Sequence, residues 1–281
     1  MYDATSKEHP APMSTQVPHG QARQIQVTGI DTELWEGGSG RPLLLLHPGD
    51  GFDAEAPYVA ELARRYRVIA PSCPGFGRSE RPAQFKSVDD LSYFYLDLLQ
   101  ALDLEDPVVV GFSFGGWLAA EIAVKDTSRI RALCLVDTVG AKFSGPMTRD
   151  ITDLFSLPLY QHPQWIYHDE KLRHPNLKEL PDEKAVLLAR NHESFGLFGW
   201  SPTLHSRHLH HRLHRLGAVP VQLVWGAHDR IVSVDYGRQW QQAIPGARMT
   251  VIEDAGHYPQ VEQPGRFVDA LVDFVDNHAG R

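Results

Sequence analysis

The sequence predicts an α/β architecture: a mostly parallel central sheet flanked by helices, with a helical segment inserted after the sixth strand. Three observations carry that expectation. Short, nearly all-apolar runs such as "PLLLLH" and "VPVQLVWG" read as strands covered on both faces. They alternate with stretches of helical periodicity, the rhythm of parallel strands joined by crossover helices. That rhythm stops after Gly140 and resumes near residue 219.

Taken in order, "RQIQVTG" and "IDTELWEGG" flank Gly29 as an antiparallel hairpin. The runs 42–47 and 66–72 are buried strands, and "EAPYVAELARRY" between them has a helical pattern. From Ser87 to Leu104 an amphipathic helix is expected, because Val88, Leu91, Tyr95, Leu98 and Leu102 share one face. Ser87 with Asp90 gives it a capping-box-like start. Strand "PVVVGF", helix 114–125 and strand 130–138 follow. Residues 141–215 hold no convincing strand, many Pro and aromatic residues, and several short helical patterns, as expected of a cap. The sheet resumes with strand 219–226, helix 233–244, strand 247–253 and a final helix 264–277. The expected organisation is a disordered lead over 1–22, a core from 23–140 and 216–281, and a cap over 141–215.

Composition narrows the function classes. The chain of 281 residues is 42% hydrophobic, enough for a sizeable core, and 22% charged. A net charge of −8 argues against nucleic acid and against an anionic membrane surface as partners. No run of about 18 apolar residues exists to span a bilayer, and the N-terminus lacks a secretory apolar core, so the cytoplasm is the expected location. Cys73 and Cys134 fall at or in apolar strands and read as buried free thiols.

The chemistry centres on "VVVGFSFGGWLAAEIA", residues 108–123, where a strand passes directly into a helix. Ser113 stands at the turn between Gly111 and Gly115, the G-x-S-x-G arrangement of a nucleophile elbow. A turn that tight strains the serine, and side chains two residues to either side would collide. Chance alone yields about 0.1 copies of the pattern in a chain of this size, so its place between strand and helix is what gives it weight. A nucleophilic serine needs a base and an orienting carboxylate. Asp229 in "LVWGAHDRIV" and His257 in "VIEDAGHYPQVEQP" each follow a strand.

With "LLLLHPG", "PGFGRSE", "GFSFGG", "WGAHDRIV" and "DAGHYPQVEQP" in that order, residues 23–278 resemble the capped serine-hydrolase branch of the α/β-hydrolase fold superfamily. The resemblance implies Ser113 as nucleophile, His257 as general base and then acid, and Asp229 as the carboxylate that orients it. It implies an oxyanion hole from the backbone N–H of Phe114 and of Gly49, with Asp50 the second choice to Gly49. Asp137 also ends a strand and is the alternative acid. The sequence departs from the family in carrying Pro48 after His47 where Gly is usual, and Ser72-Cys73 where relatives often have Asp. His47 reads as a brace for loop backbone and His228 as a loop residue.

Serine at the nucleophile position disfavours the dehalogenases and epoxide hydrolases of this fold, which use aspartate. The leading expectation is a carboxylesterase-like enzyme cleaving an ester or lactone of a small, largely apolar substrate through an acyl-enzyme, with no cofactor. The alternative is hydrolysis of a carbon–carbon bond in a vinylogous diketone, with Arg190 or Arg207 receiving a second carboxylate. A non-hydrolytic catalyst or a ligand-binding receptor on the same fold are further alternatives. Candidate substrate contacts are the aromatics Phe52, Phe143, Trp165, Phe195, Phe198 and Trp200. The His-rich "HSRHLHHRLH" (205–214) reads as the basic, solvated end of a cap helix, so no metal site is expected.

Overall fold

A computed structural model describes residues 20–173 and 179–279, so the expected N-terminal lead falls almost entirely outside the described residues. Its last two residues, Gln21 and Ala22, are already strand, paired with Glu36 and Trp35. Eight strands form one sheet: β1 (Gln21–Val27), β2 (Ile30–Gly37), β3 (Pro42–Leu46), β4 (Arg67–Pro71), β5 (Val108–Phe112), β6 (Ala132–Val136), β7 (Val221–Gly226) and β8 (Arg248–Ile252). Their spatial order is β1-β2-β4-β3-β5-β6-β7-β8. The pairs β1–β2 and β2–β4 are antiparallel. From β4 to β8 every pair is parallel.

Strands buried on both faces need no apolar–polar alternation, which is why β5 and β6 are apolar throughout. Their side chains still alternate between two cores. Leu44, Leu46 and Val109 point into one, and Leu43, Leu45, Val108 and Val110 into the other. The first core is covered by α2 (Val88–Ala101), α3 (Phe114–Lys125) and α6 (Val234–Ala243). The second is covered by α1 (Pro57–Ala63) and α8 (Pro264–Asn277).

The capping box that opens α2 is formed: Ser87 Oγ accepts from the Asp90 N–H at 3.2 Å, and the Asp90 carboxylate accepts from the Ser87 N–H at 2.9 Å. The helix ends at Ala101, before the expected Leu104. Asp103 adopts a left-handed φ of 46°, which breaks the helix and returns Leu104 to the core.

Between β6 and β7 the chain leaves the sheet. Its two ends are held together by a bridge between Gly140 and His205, with the Ser206 N–H on the Gly140 carbonyl at 2.8 Å. This insert contains short 3₁₀ turns, α4 (His162–Ile166) and α5 (Asp182–Gly199). The His-rich stretch differs from expectation. From residue 209 on it belongs to a separate 3₁₀ helix, Leu209–Ala218, whose Leu209, Leu213 and Leu216 are buried in the core shared with α3. A leucine every three or four residues gives it an apolar face, whereas the basic residues hold only the outer side. The remaining short helix, α7 (Pro259–Glu262), precedes α8.

Candidate active site

The turn from β5 into α3 puts Ser113 at φ 51°, ψ −109°, a conformation an L-residue adopts only under constraint. The two flanking glycines have steric causes. A Cβ on Gly111 would lie 2.4 Å from the Gly115 carbonyl oxygen, and one on Gly115 would lie 2.1 Å from that of Leu46. Both obstacles are backbone, so neither can yield.

Loops after β7 and β8 bring two further residues to this turn. Ser113 Oγ donates to His257 Nε2 at 2.7 Å, and His257 Nδ1–H donates to Asp229 Oδ2 at 2.8 Å. The direction follows from the partners: a carboxylate can only accept, so Nδ1 carries the imidazole proton. Asp229 Oδ1 accepts from the N–H groups of Ile231 and Val232 at 2.7 and 3.1 Å. The side chains of His257 and Asp229 are 1% and 0% exposed, which removes water competition from this chain of bonds.

The two N–H groups expected to form an oxyanion hole are those of Phe114, the residue after Ser113, and of Gly49, in the loop after β3. Neither donates to a protein acceptor among the described residues. The Gly49 peptide is held from several sides. His47 Nδ1–H donates to the Pro48 carbonyl at 2.7 Å, and the Gly51 N–H reaches the same oxygen at 3.1 Å. Because C=O and N–H point oppositely across a trans peptide, pinning the Pro48 oxygen fixes where the Gly49 N–H aims. His47 Nε2 in turn accepts from the Cys73 N–H at 3.0 Å, which sets the tautomer. Burial drives the His47 imidazole down to about 4, so it stays neutral at pH 7. The departure from His-Gly to His-Pro therefore leaves the loop braced, and the brace is the imidazole.

One residue further on, Asp50 is gripped twice. Asn191 Nδ2 on α5 donates to its carbonyl at 2.7 Å, and the Tyr258 hydroxyl donates to its carboxylate at 2.9 Å. Burial, and next the Asp50 carboxylate, hold the Tyr258 phenol well above its ordinary range, so it remains a donor. Asn191 Oδ1 also accepts from the Gly77 N–H at 2.8 Å, so one amide ties the insert to two core loops. Sequence reasoning missed Asn191 and Tyr258. Tyr258 does sit beside His257 in the motif, but nothing local distinguishes Asn191 from any other helix residue.

Of the six candidate aromatics, Phe195 stands against this region. Its ring would lie 2.9 Å from a Cβ on Gly49, and it meets Phe114 at 5.6 Å between centroids. Phe198 is one ring removed, stacked on Phe76, which contacts Phe114. The others are committed elsewhere. Phe143 packs with Tyr236 and Trp240, Phe52 with Trp35, and Trp200 is 61% exposed against Phe155. Trp165 lines a surface cleft beside the Asp229 loop with Arg149 and Arg230. The Arg190 guanidinium is engaged by backbone, donating to the carbonyls of Gly75 and Ser79. Arg207 lines a separate cleft with Lys86 and Glu121.

A cavity of about 400 Å³ adjoins the Asp50 loop, lined by Leu159, Pro163, Ile166, Tyr167, Leu188 and the edge of Asp50, with Lys171 and His192 also on its wall. Ile166 links it to the His257 loop, since its carbonyl accepts the His257 N–H at 2.7 Å. On the outer surface His168 and His228 stack at 4.0 Å and 13°, near Asp254. Near-parallel rings direct their in-plane lone pairs side by side rather than at one point, unlike ligands converging on a tetrahedral ion. Cys73 and Cys134 are free and buried, and burial pushes both thiols up, which leaves them unreactive.

Comparison with known proteins identifies the family. Residues 41–264 match the family model described as alpha/beta hydrolase fold. A 2-hydroxymuconate semialdehyde hydrolase of Pseudomonas sp. (strain CF600) is 31% identical, the match covering 90% of this chain and 93% of the relative. The solved structure of a meta-cleavage product hydrolase from Pseudomonas fluorescens IP01 is similar at a TM-score of 0.72 and 25% identity, over 90% of this chain and 97% of that one. A thermophilic esterase from Thermogutta terrifontis shares the fold at a TM-score of 0.71 and 23% identity, over 91% and 98%.

Proposed function

The chain belongs to the α/β-hydrolase fold family, and we propose that it is a serine hydrolase cleaving the ester or lactone of a small, largely apolar substrate. The observation that carries this reading is the unbroken line of hydrogen bonds from Asp229 through His257 to the strained Ser113. His257 Nε2 takes the hydroxyl proton as Ser113 Oγ attacks the carbonyl carbon. The oxygen that becomes negative accepts from the Phe114 and Gly49 N–H groups, each such donor contributing about 2.7–4 kcal/mol to the transition state. Collapse expels the alcohol, which takes the proton from His257. Water activated by the same imidazole then releases the acid and restores Ser113. Asp229 holds the tautomer and balances the imidazolium.

The insert over 141–215 acts as a cap on a core formed by 23–140 and 216–281. The cavity between Leu159, Ile166, Tyr167 and Leu188 receives the substrate's apolar part, and its lining supports a small organic substrate. Phe195 packs against Gly49 and Phe114, beside the oxyanion loop rather than in the cavity lining. The net charge of −8 favours neither nucleic acid nor an anionic membrane as partner, and no described helix is long and apolar enough to cross a membrane. A cytoplasmic location fits these features.

Carbon–carbon hydrolysis by the same residues is the second reading, favoured by the 31% identical relative named for a semialdehyde hydrolase. Against it stands the engagement of Arg190 with backbone carbonyls and the carboxylate of Asp50 beside the oxyanion loop, which repels an anionic substrate. Lys171 is the cation on the cavity wall that would receive such a carboxylate.

Intact-mass analysis after exposure to a small fluorophosphonate tests the common step, with Ser113→Ala and His257→Ala alongside. One adduct on the wild type and none on either variant is expected. Paired assays with p-nitrophenyl butyrate and a vinylogous diketone acid then separate the two readings, ester turnover being the larger. Esterase activity retained in Ser113→Ala would overturn the proposal.

A further inference from the structure

The catalytic line has a fourth polar member that the mechanism above does not use. Asp137 directly follows β6, is fully buried, and takes a left-handed φ of 42° that few non-glycine residues adopt. A carboxylate oxygen of Asp137, one of Asp229 and a ring nitrogen of His257 all lie within 4.8 Å of one another. Asp137 Oδ1 accepts from the Gly226 N–H at 3.0 Å. Its Oδ2 is buried and receives no hydrogen bond from any N–H or hydroxyl group among the described residues.

An ionised carboxylate cannot stay in that position. Three groups face it: Asp229 from the loop after β7, His257 from the loop after β8, and Glu262 from α7. Two of the three are acids, and Glu262 is already occupied by the N–H groups of Gly256 and Asp169 at 2.6 and 2.7 Å. Two adjacent carboxylates this deeply buried cannot both hold charge, so one proton must be shared out between Asp137 and Asp229. The donors decide which acid keeps it. Among the described residues Asp229 receives three, from Ile231, Val232 and His257, whereas Asp137 receives one.

We propose that Asp137 is a neutral carboxylic acid whose Oδ2–H donates to the Asp229 carboxylate, making it a positioning residue that weakens the pull of Asp229 on His257. This rests on the reading of Ser113, His257 and Asp229 as the catalytic line. The proton gives the orphaned Oδ2 its missing partner and turns a repulsion into a hydrogen bond. Burial first, and the neighbouring Asp229 next, push the Asp137 carboxyl well above the ordinary carboxylate range, in the same direction. With part of the Asp229 charge taken up by this donor, less negative charge faces the His257 ring.

Carbon-13 NMR of protein labelled at aspartate Cγ reads the proton directly, with the Asp137 resonance assigned by its loss in Asp137→Asn. A protonated-acid shift held from pH 5 to pH 9 is expected. An Asp137 that ionises in that range, or a protonated Asp229, would overturn the proposal. Fluorophosphonate labelling of Ser113 against pH supplies the second readout. Asn keeps both the acceptor for Gly226 and a donor to Asp229, so Asp137→Asn should label within about two-fold of wild type and with the same acid limb. Asp137→Ala loses the donor, and its acid limb should move to higher pH. A downward shift in Asp137→Asn would mean that the native side chain is charged, and the proposal fails. Absence of labelling in the wild type would overturn the serine-hydrolase reading instead, a result the NMR measurement separates from the state of Asp137.

Discussion

Acid should loosen this fold through one identifiable residue. His47 is buried at 3% exposure and braces the Pro48–Gly49 peptide while accepting from the Cys73 N–H. Burial is the larger cause that lowers it from 6.5 to about 4, partly opposed by its hydrogen bond to Pro48. Between those values the native state binds fewer protons than the unfolded chain. Stability therefore falls as pH drops through that window and is intact above it, the loss reaching about 3 kcal/mol by pH 4. His47→Asn isolates this contribution. Its amide retains a donor for the Pro48 carbonyl but leaves the Cys73 N–H without an acceptor, a cost of about 1–3 kcal/mol at pH 7. It also abolishes the titration. Urea unfolding of both proteins, followed by tryptophan fluorescence at pH 7, 5.5 and 4, should show the gap between them closing or reversing as acid is added. A gap of constant size at all three values would refute the reasoning, since His47 would then titrate alike in both states.

Two further substitutions test the geometry around the serine. Gly115→Ala drives a Cβ against the Leu46 and His47 carbonyl oxygens at 2.1 and 2.6 Å, whereas Gly145 has open space around it. The first should lose about 1–3 kcal/mol or more on thermal or urea unfolding and label poorly with fluorophosphonate, and Gly145→Ala should do neither; equal behaviour would mean the turn is looser than its geometry. Asn191→Ala removes the bonds to Asp50 and Gly77. It should lower kcat more than it changes KM, by less than the about 2.7–4 kcal/mol that loss of a whole oxyanion donor costs, and an unchanged kcat would show that the loop holds itself.

The parts legible in the sequence are those specified locally. Val108–Phe112 and Phe114–Lys125 are read from an apolar run and a helical period, and their junction requires Gly111 and Gly115 because the obstacles lie within the turn and at the next strand's end. Asp229 and His257 were legible as residues just beyond strand ends. Their meeting with Ser113 follows from the parallel sheet, which brings the carboxyl ends of β5, β7 and β8 to one edge. The element boundaries erred where one residue's backbone decides, as at Asp103.

What only the tertiary structure decided concerns side chains whose partners lie far away in sequence. Phe143 and Phe195 are both aromatic residues of the insert, yet one is drawn into the Tyr236–Trp240 cluster and the other onto Gly49. Arg190 and Asn191 are neighbours on α5 that grip loops more than a hundred residues distant. Periodicity fixes which face of a helix is apolar but not what that face meets. For the same reason Asp137, a strand-end acid by sequence, acquires its significance from Asp229 across the β6–β7 pairing. Local chemistry set the turn, the strands and the order of the reactive residues, and long-range packing chose the company each of them keeps.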